Sequence, residues 1–125
     1  MGERTMSVAA TQAAAFYREV AEHGSVWTLA DAGGYPAPLT ASGKRSQPFW
    51  SLRSRAERIA STVPAYAGFH VEEVRWEAFV ASWAPGLESD GLLVGINWSG
   101  VRATGYDLMP SEVIRNVEAV RGSGQ

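Results

Sequence analysis

The sequence predicts an α+β domain, with a mixed α/β arrangement as the alternative: one sheet of about four to five strands with about four helices packed on it. Three observations carry this expectation. Apolar residues recur at helical spacing in three separate segments, around Phe16, Ile59 and Phe79. A single apolar run of strand length, LLVGINW, lies in the C-terminal half. Turn chemistry falls between these segments and not in one block, so helices and strands alternate along the chain.

The elements follow in order. Residues 1–6 read as a loose leader, and residues 7–121 as a single domain. From Ser7, the positions Ala9, Ala13, Phe16 and Val20 form one helical stripe, with His23 in the last turn and Gly24 as the stop. Val26 to Ala30 reads as a strand. Asp31-Ala32-Gly33-Gly34 supplies a turn, after which Tyr35 to Leu39 is expected to return antiparallel on a sheet edge, because Pro36 and Pro38 cannot donate to a central ladder. Pro48-Phe49-Trp50 makes a short strand that enters a helix whose stripe is Leu52, Ala56, Ile59, Ala60 and Val63. Ser54 with Glu57 fits a capping box there, and Ser51 is an equally good cap.

Phe69 to Val74 suggests another strand. Trp76, Phe79, Val80 and Trp83 fall at i, i+3, i+4 and i+7 of a helix that Pro85-Gly86 is expected to stop. LLVGINW is the expected central strand, Tyr106 to Leu108 a further strand piece, and Pro110 the opening of a last helix with Val113, Ile114, Val117 and Val120 facing inward. Residues 122–125 read as a loose tail.

Composition restricts the chemistry. With 125 residues, 46% hydrophobic and 19% charged, the chain suits one globular core and not a disordered segment. No apolar run reaches the roughly 20 residues of a spanning helix, and the N-terminal residues lack the basic and apolar regions of a secretory signal. There is no cysteine, which removes disulfides and thiolate chemistry. A cytoplasmic protein is the resulting expectation, and the excess of Arg over Lys with abundant Ala and Gly suits a bacterial source.

No motif for catalysis emerges. His23 reads as a helix cap and His70 as a surface residue on a strand. Their separation has no metal-ligand spacing, so neither a metal nor a cofactor is expected. Glu72 and Glu73 are adjacent and point to opposite faces of a strand, so they form no dyad. The glycines of DAGGY and GLLVG lack the Lys and Ser/Thr of a phosphate loop.

Charge is uneven, although the net value is −2. Lys44, Arg45, Arg53, Arg55 and Arg58 make residues 44–58 basic, and Glu72, Glu73, Glu77, Glu88 and Asp90 make residues 72–90 acidic. The stretch QPFWSLRSRAERIAS joins Trp50 to Arg53, Arg55 and Arg58. Its apolar stripe explains it as a core helix with Arg55 and Arg58 on the solvated face. Trp50 stands at three readings: core packing, a protein interface, or a base-stacking platform.

The landmarks together resemble a family of small bacterial proteins known as domain of unknown function 2750. The matching residues are Val26, Trp27 and Leu29; Pro48, Trp50, Ala56 and Glu57; Phe79, Trp83, Pro85 and Leu87; Asp90 and Gly91; and Val94, Gly95, Asn97 and Trp98. Ile96 replaces the valine of the family pattern, and the prolines of YPAPL depart from it. The resemblance spans about residues 8–120 and implies no activity or catalytic residue. Its distant similarity to immunity-type and secretion-regulator domains implies protein binding.

The leading expectation is therefore a non-enzymatic, cytoplasmic, inhibitor- or immunity-like bacterial domain that binds another protein through Trp50, Arg53, Arg55 and Arg58, with Glu72, Glu73, Glu77 and Glu88 as an acidic counterpart. The alternatives are a weak nucleic-acid binder using the basic 44–58 segment, and a small-ligand binder or enzyme built on Asp31, Asn97 and Asp107.

Overall fold

A computed structural model describes residues 6–123. The first helix, α1 (Val8–His23), is capped by Ser7, whose hydroxyl accepts from the Ala10 N–H, and ends at Gly24 in the left-handed conformation (φ 75°). The strand β1 (Ser25–Ala30) follows, then a long excursion to β2 (Ser46–Phe49) and α2 (Arg53–Thr62). A short 3₁₀ turn, Pro64–Tyr66, leads to β3 (His70–Arg75). One continuous helix then comprises α3 (Trp76–Ala78), a π-helical turn (Phe79–Trp83) and α4 (Ala84–Ser89). The chain closes with β4 (Leu93–Ser99), β5 (Thr104–Leu108) and α5 (Pro110–Ser123).

The α+β class and the four helical regions agree with expectation, but the strands make two sheets and not one. β1 pairs antiparallel with β3, and β4 lies between a parallel β2 and an antiparallel β5. The two sheets meet at one antiparallel bridge, Trp27 to Trp50, with both N–H···O bonds at 2.7 Å. Pro48 explains why the ladder goes no further. It has no N–H, and the Thr28 hydroxyl instead donates to the Pro48 carbonyl at 2.8 Å, a side chain standing in for a ladder bond.

Strand alternation divides the interior into two clusters. Val26, Phe49, Val74, Val94 and Ile96 face α1, the α3–α4 helix and α5, together with Phe16, Trp76 and Val113. Leu29, Trp50 and Trp98 face α2, with Ile59, Val63 and Tyr66. Neighbouring residues such as Phe49 and Trp50 thus serve opposite cores, as a period of two requires.

Several local expectations are corrected. Tyr35 to Leu39 forms no strand. Bridges form only at Asp31–Gly34 and Leu39–Arg45, since neither Pro36 nor Pro38 can donate to a pairing strand. Pro85 does not stop its helix. The turn before it widens so that the Ala84 N–H reaches the Phe79 carbonyl, five residues back, which relieves the clash of the proline ring with the preceding turn. Neither Ser51 nor Ser54 caps α2, whose N-cap is Leu52 without a side-chain bond. The last helix continues through Gly122 and Ser123, where a loose tail was expected. Residues 1–5 of the leader and 124–125 of the tail lie outside the described residues.

Candidate functional site: a cleft beside the second helix

A cavity of about 570 Å³ opens between α2, the C-terminal end of β4 and the Gln12 turn of α1. Leu52, Ile59 and Val101 give it apolar walls, Trp50 and Trp98 form its floor, and Ser54, Arg55, Arg58 and Thr62 bring polar groups along α2. Val101 is 87% exposed, a large apolar side chain left in water at the rim.

Asn97 shapes the floor. It occupies the left-handed region (φ 46°) within β4, where the register with β5 shifts, and asparagine tolerates this conformation better than most residues. The extra residue breaks the alternation. Val94 and Ile96 face one core, whereas Trp98 turns to the other and lies over Gly95. A Cβ on Gly95 would overlap the Trp98 indole, so the close approach requires glycine. The indole N–H of Trp98 donates to Asp107 at 3.2 Å, and that of Trp50 donates to the Trp98 carbonyl at 2.9 Å.

A polar network behind the floor locks these pieces. The Asn97 Oδ1 accepts from the Ser51 N–H at 2.9 Å, and its Nδ2 donates to the Gln12 carbonyl at 3.1 Å. The Ser51 hydroxyl donates to Glu19 at 2.6 Å and accepts from the Asn97 Nδ2 at 3.0 Å, so its oxygen is engaged with α1 and β4 and not with the first turn of α2. Arg55 grips both Glu19 oxygens at 2.9 Å and donates to the Gln12 side chain at 2.8 Å. This two-pronged geometry is the strong form of a guanidinium–carboxylate pair.

Burial disfavours charge on Glu19, but the bonds from Arg55 and Ser51 and the nearby positive charge of Arg55 outweigh it. They hold the carboxyl below its usual value of 4.5. Because the folded form binds its proton more weakly than the unfolded form, the linked stability is present above that value and is lost as pH falls through the lower folded one. The urea midpoint is expected to drop on acidification through and below pH 4.5. Glu19→Gln should lower stability by about 2 kcal/mol at neutral pH and flatten that part of the profile. A pH series of urea melts on both proteins measures this.

Of the four residues expected to form a contact face, three meet at the cleft, but in different roles. Trp50 is 1% exposed and its edge is floor, so it is no surface anchor or stacking platform. Arg55 is spent on Glu19 and Gln12. Arg58 lines the cleft and makes no ion pair with the described residues. Arg53 lies outside it, bonded to Glu57 at 2.7 Å with its guanidinium 5.6 Å from the Trp27 ring centroid.

The acidic counterpart stays at the surface but is engaged within the chain. Glu72 accepts from Tyr35 and pairs with His70, Glu73 accepts from Ser25, and Glu77 lies 4.0 Å from Arg75. Asp31, Asn97 and Asp107 do not share this site. Asp31 caps its own turn through the Gly33 N–H, Asp107 holds Trp98, and only Asn97 lines the cleft. Among the described residues no group of three His, Asp or Glu side chains is placed to hold a metal ion. Gln12, Leu52 and Val101 are cleft residues that no sequence motif marks. An asparagine inside an apolar strand was the available signal.

The family model described as Protein of unknown function (DUF2750) matches residues 13–117. The chain belongs to this family. The DUF2750 match runs from α1 into α5 and takes in β1 to β5. Two of the tryptophan landmarks within the matched span, Trp50 and the Asn97-Trp98 pair, meet at the cleft floor. No curated protein matches the chain. No helix among the described residues is long and apolar enough to cross a membrane.

Proposed function

We propose that this DUF2750 domain is a non-enzymatic module that binds another protein by taking one of its segments into the cleft beside α2. The observation that carries the reading is the pairing of Arg58, which has no ion-pair partner among the described residues, with exposed Val101 at one apolar-walled opening. A segment with a carboxylate beside an apolar side chain complements both. The lining supplies hydroxyls, amides and guanidinium groups but no carboxylate, imidazole or amine to exchange a proton near neutrality, which favours binding over general acid–base chemistry. An inhibitor- or immunity-like role in a bacterial cytoplasm suits such a module. The buried Trp50 weighs against a single-strand nucleic-acid platform, which needs an accessible ring.

The test uses tagged wild type, Arg58→Glu with Val101→Asp, and Arg53→Glu as a control outside the cleft. Partner recovered from the host is then titrated against each purified protein. The double variant is expected to bind at least about tenfold more weakly, and Arg53→Glu to bind as wild type does. Equal binding by all three proteins, loss in the control alone, or recovery of nucleic acid released steeply by salt would each overturn the reading.

A further inference from the structure

We propose that a second pocket, between the loop after β1 and the α3–α4 helix, is a receptor slot for an organic cation, an alkylammonium or guanidinium group. This slot of about 330 Å³ is separate from the α2 cleft and shares no lining residue with it. Tyr35 and Trp83 stand edge to face at a centroid distance of 5.0 Å and form its aromatic side, with Leu87 and Leu92 beneath. Asp90 lies at its edge, and no Lys, Arg or His is among the lining residues.

Gln47 is the decisive group. It is 4% exposed, yet it lines the slot. Its amide orientation is fixed by its neighbour. Thr28 gives its hydroxyl proton to the Pro48 carbonyl, so the Gln47 atom 3.4 Å from that hydroxyl must be the donating Nε2. Oε1 is therefore turned away and accepts no hydrogen bond from the described residues. It is not sealed off either, since Ser46 Oγ alone is both buried and unpartnered among the described side-chain atoms. An accepting oxygen, a carboxylate and two aromatic rings around one opening select a donor that carries positive charge and an apolar stem.

Two further details place these groups. The Tyr35 hydroxyl donates to Glu72 at 2.8 Å, which holds the ring upright and adds negative potential beside the slot. The π-helical turn ends at Trp83, so the widened turn forced by Pro85 sets where that indole stands.

The experiment is an amide-resolved NMR titration of the full chain with agmatine, with n-butylammonium, with neutral n-butanol, and with an acetylated arginine amide. Saturable shifts at Trp83, Gly86 and Leu92 are expected from the charged probes and not from butanol. Asp90→Asn should weaken them about fivefold. Gly86→Leu should abolish them, because nothing lies within 4 Å of a Cβ at Gly86 and the added side chain can occupy the opening without disturbing the fold. Tighter binding of the arginine amide than of agmatine would assign the slot to a side chain of a protein partner, and the reverse order to a free amine. Butanol shifting the same amides equally, shifts that survive Gly86→Leu in a folded protein, or no saturable shift with any cation would overturn the proposal.

Discussion

Gly95→Ala is expected to cost about 3 kcal/mol or more in folding stability although it adds a single methyl group, as the fall in urea midpoint at unchanged slope would show. The new Cβ would enter the Trp98 indole, a rigid and buried ring that cannot swing aside as a long surface side chain would. The ring is also tied at its N–H to Asp107 and through its backbone carbonyl to Trp50, so relieving the overlap would disturb two hydrogen bonds. Trp98→Leu alone should lose about 3 kcal/mol from the smaller side chain. In that background Gly95→Ala should cost less than about 1 kcal/mol, because the methyl then has room and alanine restricts the unfolded strand. If the two costs simply add, the overlap is not the reason glycine stands here.

Asn97→Ala is the second large effect, expected at about 3 to 4 kcal/mol. Part is conformational: a left-handed residue with an ordinary side chain costs roughly 1 kcal/mol. The larger part is the loss of the acceptor for the Ser51 N–H, together with the bond to the Gln12 carbonyl, at a site 1% exposed, at about 1 to 3 kcal/mol. Asn97→Gly separates the two, restoring the backbone freedom but not the side-chain bonds. It should recover about 1 kcal/mol of the alanine deficit. Equal losses in the two variants would show that φ at this position carries no cost.

Much of the architecture was legible because it depends on local periodicity. The stripe of α1, the Gly24 stop, the buried run of β4 and the Pro110 start all follow from side-chain spacing and terminal chemistry. The misreadings arise where a local rule met a tertiary solution. Pro85 has the local chemistry of a terminator, but a π-turn accommodates it. Pro48 was read into a strand correctly, yet its missing N–H divides the strand layer into two sheets through a partner, Thr28, twenty residues earlier.

The candidate site shows the same limit. Spacing identified Arg55 and Arg58 on the outer face of α2. It gave no sign that Glu19, far back in α1, takes one of them while leaving the other without an ion pair among the described residues. Nothing in the spacing around Gln47 marks it, and only the tertiary placement of Thr28 fixes which end of its amide is spare.

The bridge between Trp27 and Trp50 has a mechanical consequence. It acts as a hinge pin: this is the backbone bridge that couples the β1–β3 ribbon to the rest of the strand layer, reinforced beside it by the Thr28 side chain, and one of its two members is also the cleft floor. An occupant seated against Trp50 rests on that pin. Filling the cleft and holding the two sheets in line therefore draw on the same residue, and the protection of the Trp27 and Trp50 amides against exchange reports both at once.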